Sequence, residues 1–246
     1  MKEKEWAEKI GEIANVTLLA SKYIKEEISA PIFTFDDHRY SLNILNCFRC
    51  YAGMEDDLEC VFFDSHCDMG AANPSNIEIF ADAYGKIEKI KDVFNLVEFD
   101  LSKDDGNWMK YAIVGNVFKN VYHYKFDSAN SINCSNLILD KSRTPFKFFE
   151  FVCSNYVLEI DLDFFASYNL IEGGIIDKKS TPETVKAILR TKFIFGFGSH
   201  LSLGEYLFML AKGAKYITIC KEPNYCRHPI LAHSIYTALL EEVFLT

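Results

Sequence analysis

Two apolar runs in this chain, about a hundred residues apart, each end in metal-binding side chains spaced two positions apart. Val61-Phe62-Phe63 leads into Asp64-Ser65-His66-Cys67-Asp68, and Leu158-Glu159-Ile160 leads into Asp161-Leu162-Asp163. Each run reads as a buried strand. In an extended chain the side chains at i, i+2 and i+4 point the same way. Asp64, His66 and Asp68 are therefore expected to face one point, as are Asp161 and Asp163, with Cys67 turned away. Gathering that many carboxylates is prohibitive unless cations compensate them. Oxygen donors with a minority of imidazole suit Mn²⁺ or a similar ion better than a thiolate-seeking metal. A third apolar run, Pro31 to Phe35, ends in Asp36-Asp37-His38 and adds a further histidine. The alternative, that these groups cap helices and pair among themselves, leaves the convergence of acidic groups without Lys or Arg unexplained.

Composition narrows the class. The 246 residues are 49% hydrophobic, with 21 Phe and 13 Tyr, enough for one large core, so residues 1–246 are read as a single domain. A net charge of −9 argues against a nucleic-acid surface and is compatible with a cationic substrate. The charged start Met1-Lys2-Glu3-Lys4-Glu5 lacks the apolar core of a signal peptide. No stretch approaches the roughly 18 apolar residues of a membrane span. The eight cysteines are then expected to be reduced thiols in a cytoplasmic protein. Cys47-x-x-Cys50 has no second pair at zinc-ribbon spacing and reads as buried thiols on a helix.

Along the chain, apolar runs alternate with helical periodicity, predicting a mostly parallel sheet with helices on both faces, a three-layer α/β/α sandwich. Helices are expected over about 5–28, 39–52, 77–91, 108–116, 202–212 and 228–244, with a further helix starting at Thr181-Pro182-Glu183. Strands are expected near 31–35, 59–64, 117–125, 136–139, 152–161, 193–197 and 216–220, and a loop at 71–76 beside the first cluster. The three metal-binding phrases all fall at strand ends, where open parallel sheets place their sites.

Phe63-Asp64-Ser65-His66-x-Asp68, Asp37-His38, Ile160-Asp161-Leu162-Asp163-Phe164-Phe165 and Asn107-Trp108 together resemble the ureohydrolase superfamily of arginases and agmatinases. The nearer likeness is to the arginase-like family that contains peptide arginases, and it spans about residues 31–230. This resemblance implies an arginase-like fold holding two Mn²⁺ ions. His38 and Asp68 would serve the first ion, His66 and Asp163 the second, and Asp64 and Asp161 both. The ion pair would activate a shared water as nucleophile. Glu222, in Glu222-Pro223-Asn224 after the strand Tyr216–Cys220, matches the arginase glutamate that pairs with the guanidinium, a group best met by a bidentate carboxylate. Asn107 and Trp108 would line the substrate pocket. His200, after Gly198-Ser199, is the first choice for protonating the leaving amine and His123 the second; His228 and His233 read as structural.

The chain departs from arginase proper in two places. Phe164-Phe165 stands where arginases have Gly-Leu-Asp-Pro. The loop that grips the head group of free arginine is echoed only by Asn73, Ser75 and Asn76. Both departures point to an arginine embedded in a precursor peptide, converted to ornithine with release of urea. A homo-oligomer is compatible with the sequence; nucleic acid and membrane are not expected partners. The rival readings are a metal-dependent amidohydrolase or deacetylase, a ureohydrolase of small guanidino compounds, and a peptide-binding module of the same fold.

Overall fold

The alternating pattern produces a mixed α/β fold built on a mostly parallel sheet. This computed structural model describes residues 5–11, 15–53, 57–64, 66, 68–101, 106–124, 137–139, 155–166, 181–190, 192–194, 200–223, 226 and 229–246. The strands are β1 (Thr17–Leu18), β2 (Ile32–Phe35), β3 (Glu59–Phe63), β4 (Asn120–Tyr124), β5 (Leu137–Leu139), β6 (Tyr156–Asp161), β7 (Lys192–Ile194), β8 (His200–Ser202) and β9 (Ile217–Cys220). Seven of them form one sheet in the order β1-β2-β9-β6-β3-β4-β5, and only β1 runs antiparallel to its neighbour.

The helices are α1 (Glu5–Gly11), α2 (Tyr40–Phe48), α3 (Pro74–Ala83), α4 (Ile90–Asn95), α5 (Trp108–Val114), the single turn α6 (Asp163–Ala166), α7 (Pro182–Arg190), α8 (Leu203–Gly213) and α9 (Pro229–Leu239). Phe33, Phe35, Cys60, Phe62, Val121 and Val157 share one apolar cluster with Trp6 of α1, Leu42 of α2, Phe80 of α3, Val93 of α4 and Trp108 of α5. The alternate strand residues Ile32, Val61, Phe63, Leu158, Ile160 and Ile217 pack with Val185 of α7, Leu207 of α8 and Ile235 of α9. Helices on both faces explain why β2, β3, β6 and β9 are buried at every position, the pattern of a covered parallel sheet. Each such aliphatic or aromatic side chain contributes roughly 1.5–3 kcal/mol by leaving water. The layering is compatible with an α/β/α sandwich.

Two expectations are corrected. The helix expected over 5–28 ends at Gly11 in α1. Asn15 is left-handed at φ 71°, and Thr17 and Leu18 pair with Thr34 and Phe33 at the sheet edge. The apolar positions Val16 and Ile24 are still buried, so the periodicity marked burial and not helix. The helix expected over 77–91 starts earlier, at Pro74, because the Asn73 side chain accepts from the Ser75 amide and caps it. It stops at Ala83, just before Gly85 at φ 74°. The strand expected at 193–197 is present as β7 over 192–194, with 195–197 outside the described residues; among the described residues it pairs with β8 in a separate two-stranded sheet.

Other helix starts follow the sequence closely. Thr181 accepts from the Thr184 amide at 3.2 Å ahead of α7. Ser202 and Glu205 form a reciprocal capping box on α8.

Candidate metal centre

The chain leaves β3 toward β4 on one side of the sheet, whereas β6 leads toward β9 on the other. Adjacent strands whose connections part in opposite directions open a crevice at their carboxyl ends. β3 and β6 are that pair here. Phe63 is the Cα partner of Ile160, so Asp64 and Asp161 follow side by side on the opposite face from those two apolar residues. Asp161 is in turn the partner of Cys220, and Cys220 of Phe35. The sheet thus ends in a row of Phe35, Cys220, Asp161 and Asp64, with His38 in the turn after β2 and Glu222 just beyond β9.

Three compact sets of donors emerge. His38, Asp64 and Asp68 form one; Asp64, His66 and Asp163 another; His38, Asp161, Cys220 and Glu222 the third; the donor atoms of each lie within 4.8 Å of one another. Donors on opposite sides of one ion are separated by at most about 4.6 Å when bonds run roughly 2.0–2.3 Å. Each set, bounded at 4.8 Å, is close to that span and groups donors of the kind that one cation takes. Asp64 belongs to two sets, and His38 is common to the other pairing, which makes an arrangement of two neighbouring positions sharing Asp64.

The extended-chain alternation expected at 64–68 does not continue past the strand. β3 ends at Phe63, and Asp68 adopts a left-handed backbone at φ 49°. The side chains then part: Asp68 Oδ2 lies 2.9 Å from His38 Nδ1, whereas His66 Nδ1 turns to Asp163 Oδ2 at 2.6 Å. Asp161 and Asp163 part in the same way, because Asp163 already begins α6. Asp161 Oδ1 accepts from the Asp163 amide at 3.0 Å while its Oδ2 faces His38 Nδ1 at 3.1 Å. Asp161 accordingly joins the His38 set and not the His66 set. Glu222 Oε1 stands 3.7 Å from His38 Nδ1, also from a left-handed residue, at φ 33°. Left-handed backbone at Asp68 and Glu222 costs on the order of 1–2 kcal/mol each and persists where the surrounding structure over-determines it.

The donor chemistry fits a cation. Both ring nitrogens of His38, Asp64 Oδ2 and Asp68 Oδ2 are buried without a hydrogen-bond partner. His38 Nδ1 is close to its carboxylates in distance but outside hydrogen-bonding angles. Buried polar atoms are nearly always hydrogen-bonded, so these unpartnered atoms are available to an ion. Burial pushes the Asp64 carboxyl well above the ordinary range, and the charges of Asp163, Asp68, Asp161 and Glu222 push it further. Burial and then Asp163 raise Asp161 to about 6; burial and then Asp161 raise Glu222 to about 11. Burial disfavours the His38 imidazolium, yet Asp161 and Asp68 outweigh it and hold its pKa well above the ordinary value. The neighbouring basic residues look elsewhere: Lys221 Nζ meets Asp36 at 2.7 Å and Arg39 Nε meets Asp37 at 3.2 Å. A cluster this acidic is neutralised at neutral pH either by bound protons or by a cation.

The supporting layer lies one step back in the strands. Phe62 carries His123 stacked on its ring at 5.1 Å, and Glu159, two residues before Asp161, is fully buried. The Glu159 carboxylate accepts from Ser41 of α2 at 2.9 Å and from Thr218 of β9. It thereby ties together three segments that each carry a site residue. His66 is the open end, with half of its side chain exposed (50%) against 2% for His38. A cleft of about 380 Å³ is lined by Asp36, Asp37, Arg39, Lys221 and Pro223, sequence neighbours of His38 and Glu222, and by none of the donors themselves.

The other expected residues are placed unevenly. Asn107 is buried and donates to the Ala71 carbonyl at 3.0 Å, fixing the loop. Trp108 is 1% exposed and packs 5.5 Å from the His38 ring, so it supports a donor and does not line open space. His123 holds the Asp64 carbonyl, and His233 is exposed on α9. His200 opens β8, but its side chain lies outside the described part, as do Cys67, Gly198-Ser199, Asn224 and His228. Asn73 is occupied in capping α3. Cys47 is buried in α2 and Cys50 follows it; both are free thiols, as are Cys60, Cys220 and Cys226. Among the described residues, no helix is long and apolar enough to cross a membrane.

Cys220 and Glu159 were not anticipated. The signal was present: Cys220 stands two residues before Glu222, and Glu159 two before Asp161, the same spacing that marked the donors. No protein-family model matches the chain, and no curated protein does.

Proposed function

We propose that this chain is a dinuclear metallohydrolase of arginase-like fold that cleaves the guanidino group of an arginine side chain within a peptide, giving ornithine and urea. The observation that carries the reading is the pair of compact donor sets sharing Asp64, His38 on one side and His66 on the other. Two neighbouring divalent cations, taken as Mn²⁺, supply a water of lowered pKa as nucleophile when bound. His38, Asp64, Asp68, Asp161, His66 and Asp163 hold and space them. Glu222, at the edge of the His38 set, accepts the guanidinium N–H groups and orients its carbon toward the crevice. Water adds to that carbon, the C–Nε bond breaks, and the leaving amine takes a proton, for which this reading assigns His200. The half-exposed His66 end admits the side chain.

The test is urea release by protein reconstituted with Mn²⁺ and supplied separately with arginine, agmatine, acetyl-lysine peptides and arginine-containing peptides. Urea from the peptides, with ornithine left in the chain, is the expected result. Metal-loaded protein that releases acetate from acetyl-lysine and no urea from any guanidino compound would overturn the reading in favour of an amidohydrolase.

A further inference from the structure

The site as described uses oxygen and nitrogen donors, yet a sulfur stands among them. Cys220 ends β9 directly beside Asp161, its Cα partner, and so points to the same face of the sheet. The Cys220 thiol is wholly buried and lies with His38, Asp161 and Glu222 in one set whose donor atoms are within 4.8 Å of one another. Before it on the same face, Thr218 of β9 donates to Glu159, and Tyr216, just ahead of β9, packs in the aromatic cluster of Trp6 and Phe48. Cys220 is thus the one residue of this strand whose side chain reaches the donors, and His38 presents two buried ring nitrogens without hydrogen-bond partners at the same place.

We infer that Cys220 is a sulfur ligand of the cation held at His38, making that position softer than the all-oxygen-and-imidazole position at His66. The inference rests on the reading that a cation binds at His38. Its consequence is unequal metal preference: thiolate favours Fe²⁺, Co²⁺ or Zn²⁺ over Mn²⁺, whereas the Asp64-His66-Asp163 set retains the preference for harder ions. The protein would then hold a mixed pair when offered both kinds of metal.

Cobalt substitution of the full chain tests this without any activity assay, because a Co²⁺–thiolate bond gives a sulfur-to-metal charge-transfer band in the near ultraviolet. The expected result is that band in the wild-type protein, its loss in Cys220→Ser, and its persistence in Cys226→Ser, a nearby buried thiol outside the set. Competition should show the Zn²⁺-over-Mn²⁺ preference of one site falling at least tenfold in Cys220→Ser. Cobalt bound with no charge-transfer band, or a band that survives Cys220→Ser, overturns the sulfur ligand while leaving the metal centre standing. Failure of wild-type protein to bind cobalt at all overturns both. The wild-type spectrum decides the matter even if the serine variant does not fold.

Discussion

His123 Nε2 lies 3.0 Å from the backbone carbonyl oxygen of Asp64. Phe62 and His123 are Cα partners in β3 and β4, and their rings stack at 5.1 Å, so the imidazole is fixed from beneath. A neutral ring with its proton on Nε2 donates to that carbonyl, just where the chain leaves the sheet to present Asp64. His123 therefore anchors the backbone that carries Asp64.

Replacing His123 with Phe keeps the stack and removes the donor. The variant should lose about 1 kcal/mol of stability, the net worth of one hydrogen bond. Its affinity for divalent metal should fall about 10–100-fold, as is usual when an outer partner of a metal ligand is removed. Titration calorimetry with Mn²⁺ reads this directly. Unchanged affinity would mean that the Asp64 carbonyl is held well enough by the rest of β3.

Gly106 controls Asp68. Its backbone is left-handed at φ 50°, and a Cβ there would stand 3.0 Å from Asp68 Oδ1. Gly106→Ala should cost on the order of 1–2 kcal/mol through strain. It should also displace a donor of the His38 set, weakening metal binding more than stability alone predicts. A variant destabilised by that amount with wild-type metal affinity would separate the loop from the site.

Asp64 is shared by two donor sets, so its loss should affect both positions. Asp64→Asn is expected to lower the bound metal from two ions per chain to one or none, measured by elemental analysis after dialysis. The same change removes a carboxyl that burial and its acidic neighbours hold well above the ordinary range, so the metal-free variant should be more stable than metal-free wild type near pH 8. Two ions retained in the variant would remove Asp64 from the bridging role.

The metal-free protein should become less stable as pH rises. Asp161 is raised from an ordinary 3.8 to about 6, so the folded state binds more protons than the unfolded state between those values. Stability then falls as pH climbs through that window, by roughly 3 kcal/mol from this group alone. His38, held above its ordinary value, acts in the same direction at higher pH, since the benefit of its folded-state proton is fully present below the unfolded value and is lost as pH passes the folded one. Bound divalent cations should flatten the profile, because they replace the protons. Thermal melts from pH 4.5 to 8 with EDTA and with Mn²⁺ compare the two; a metal-free melting temperature that rises over that range would show that these carboxylates do not repel one another in the fold.

Much of the fold was legible because period-two and apolar runs are local. Ile32–Phe35, Glu59–Phe63, Tyr156–Asp161 and Ile217–Cys220 are strands where the sequence places them, and the caps at Thr181 and Ser202 start helices as their chemistry requires. Locality is also where the reading stopped. Whether Val16 and Thr17 continued a helix or joined the sheet edge depended on β2 offering an open row of hydrogen-bonding groups, which no short window contains.

The sequence by itself determined which residues could serve as donors and that they would stand at strand ends, since both follow from residue type and from neighbours within a few positions. Only the tertiary structure decided how they divide. The switch between β3 and β6 sets Asp64 beside Asp161, and the left-handed turn at Asp68 and the start of α6 at Asp163 send neighbouring donors to opposite sides. Register brings Cys220 into the set from a strand some sixty residues away in sequence. Those pairings are long-range contacts, fixed by which strands close the sheet, and no spacing along the chain encodes them.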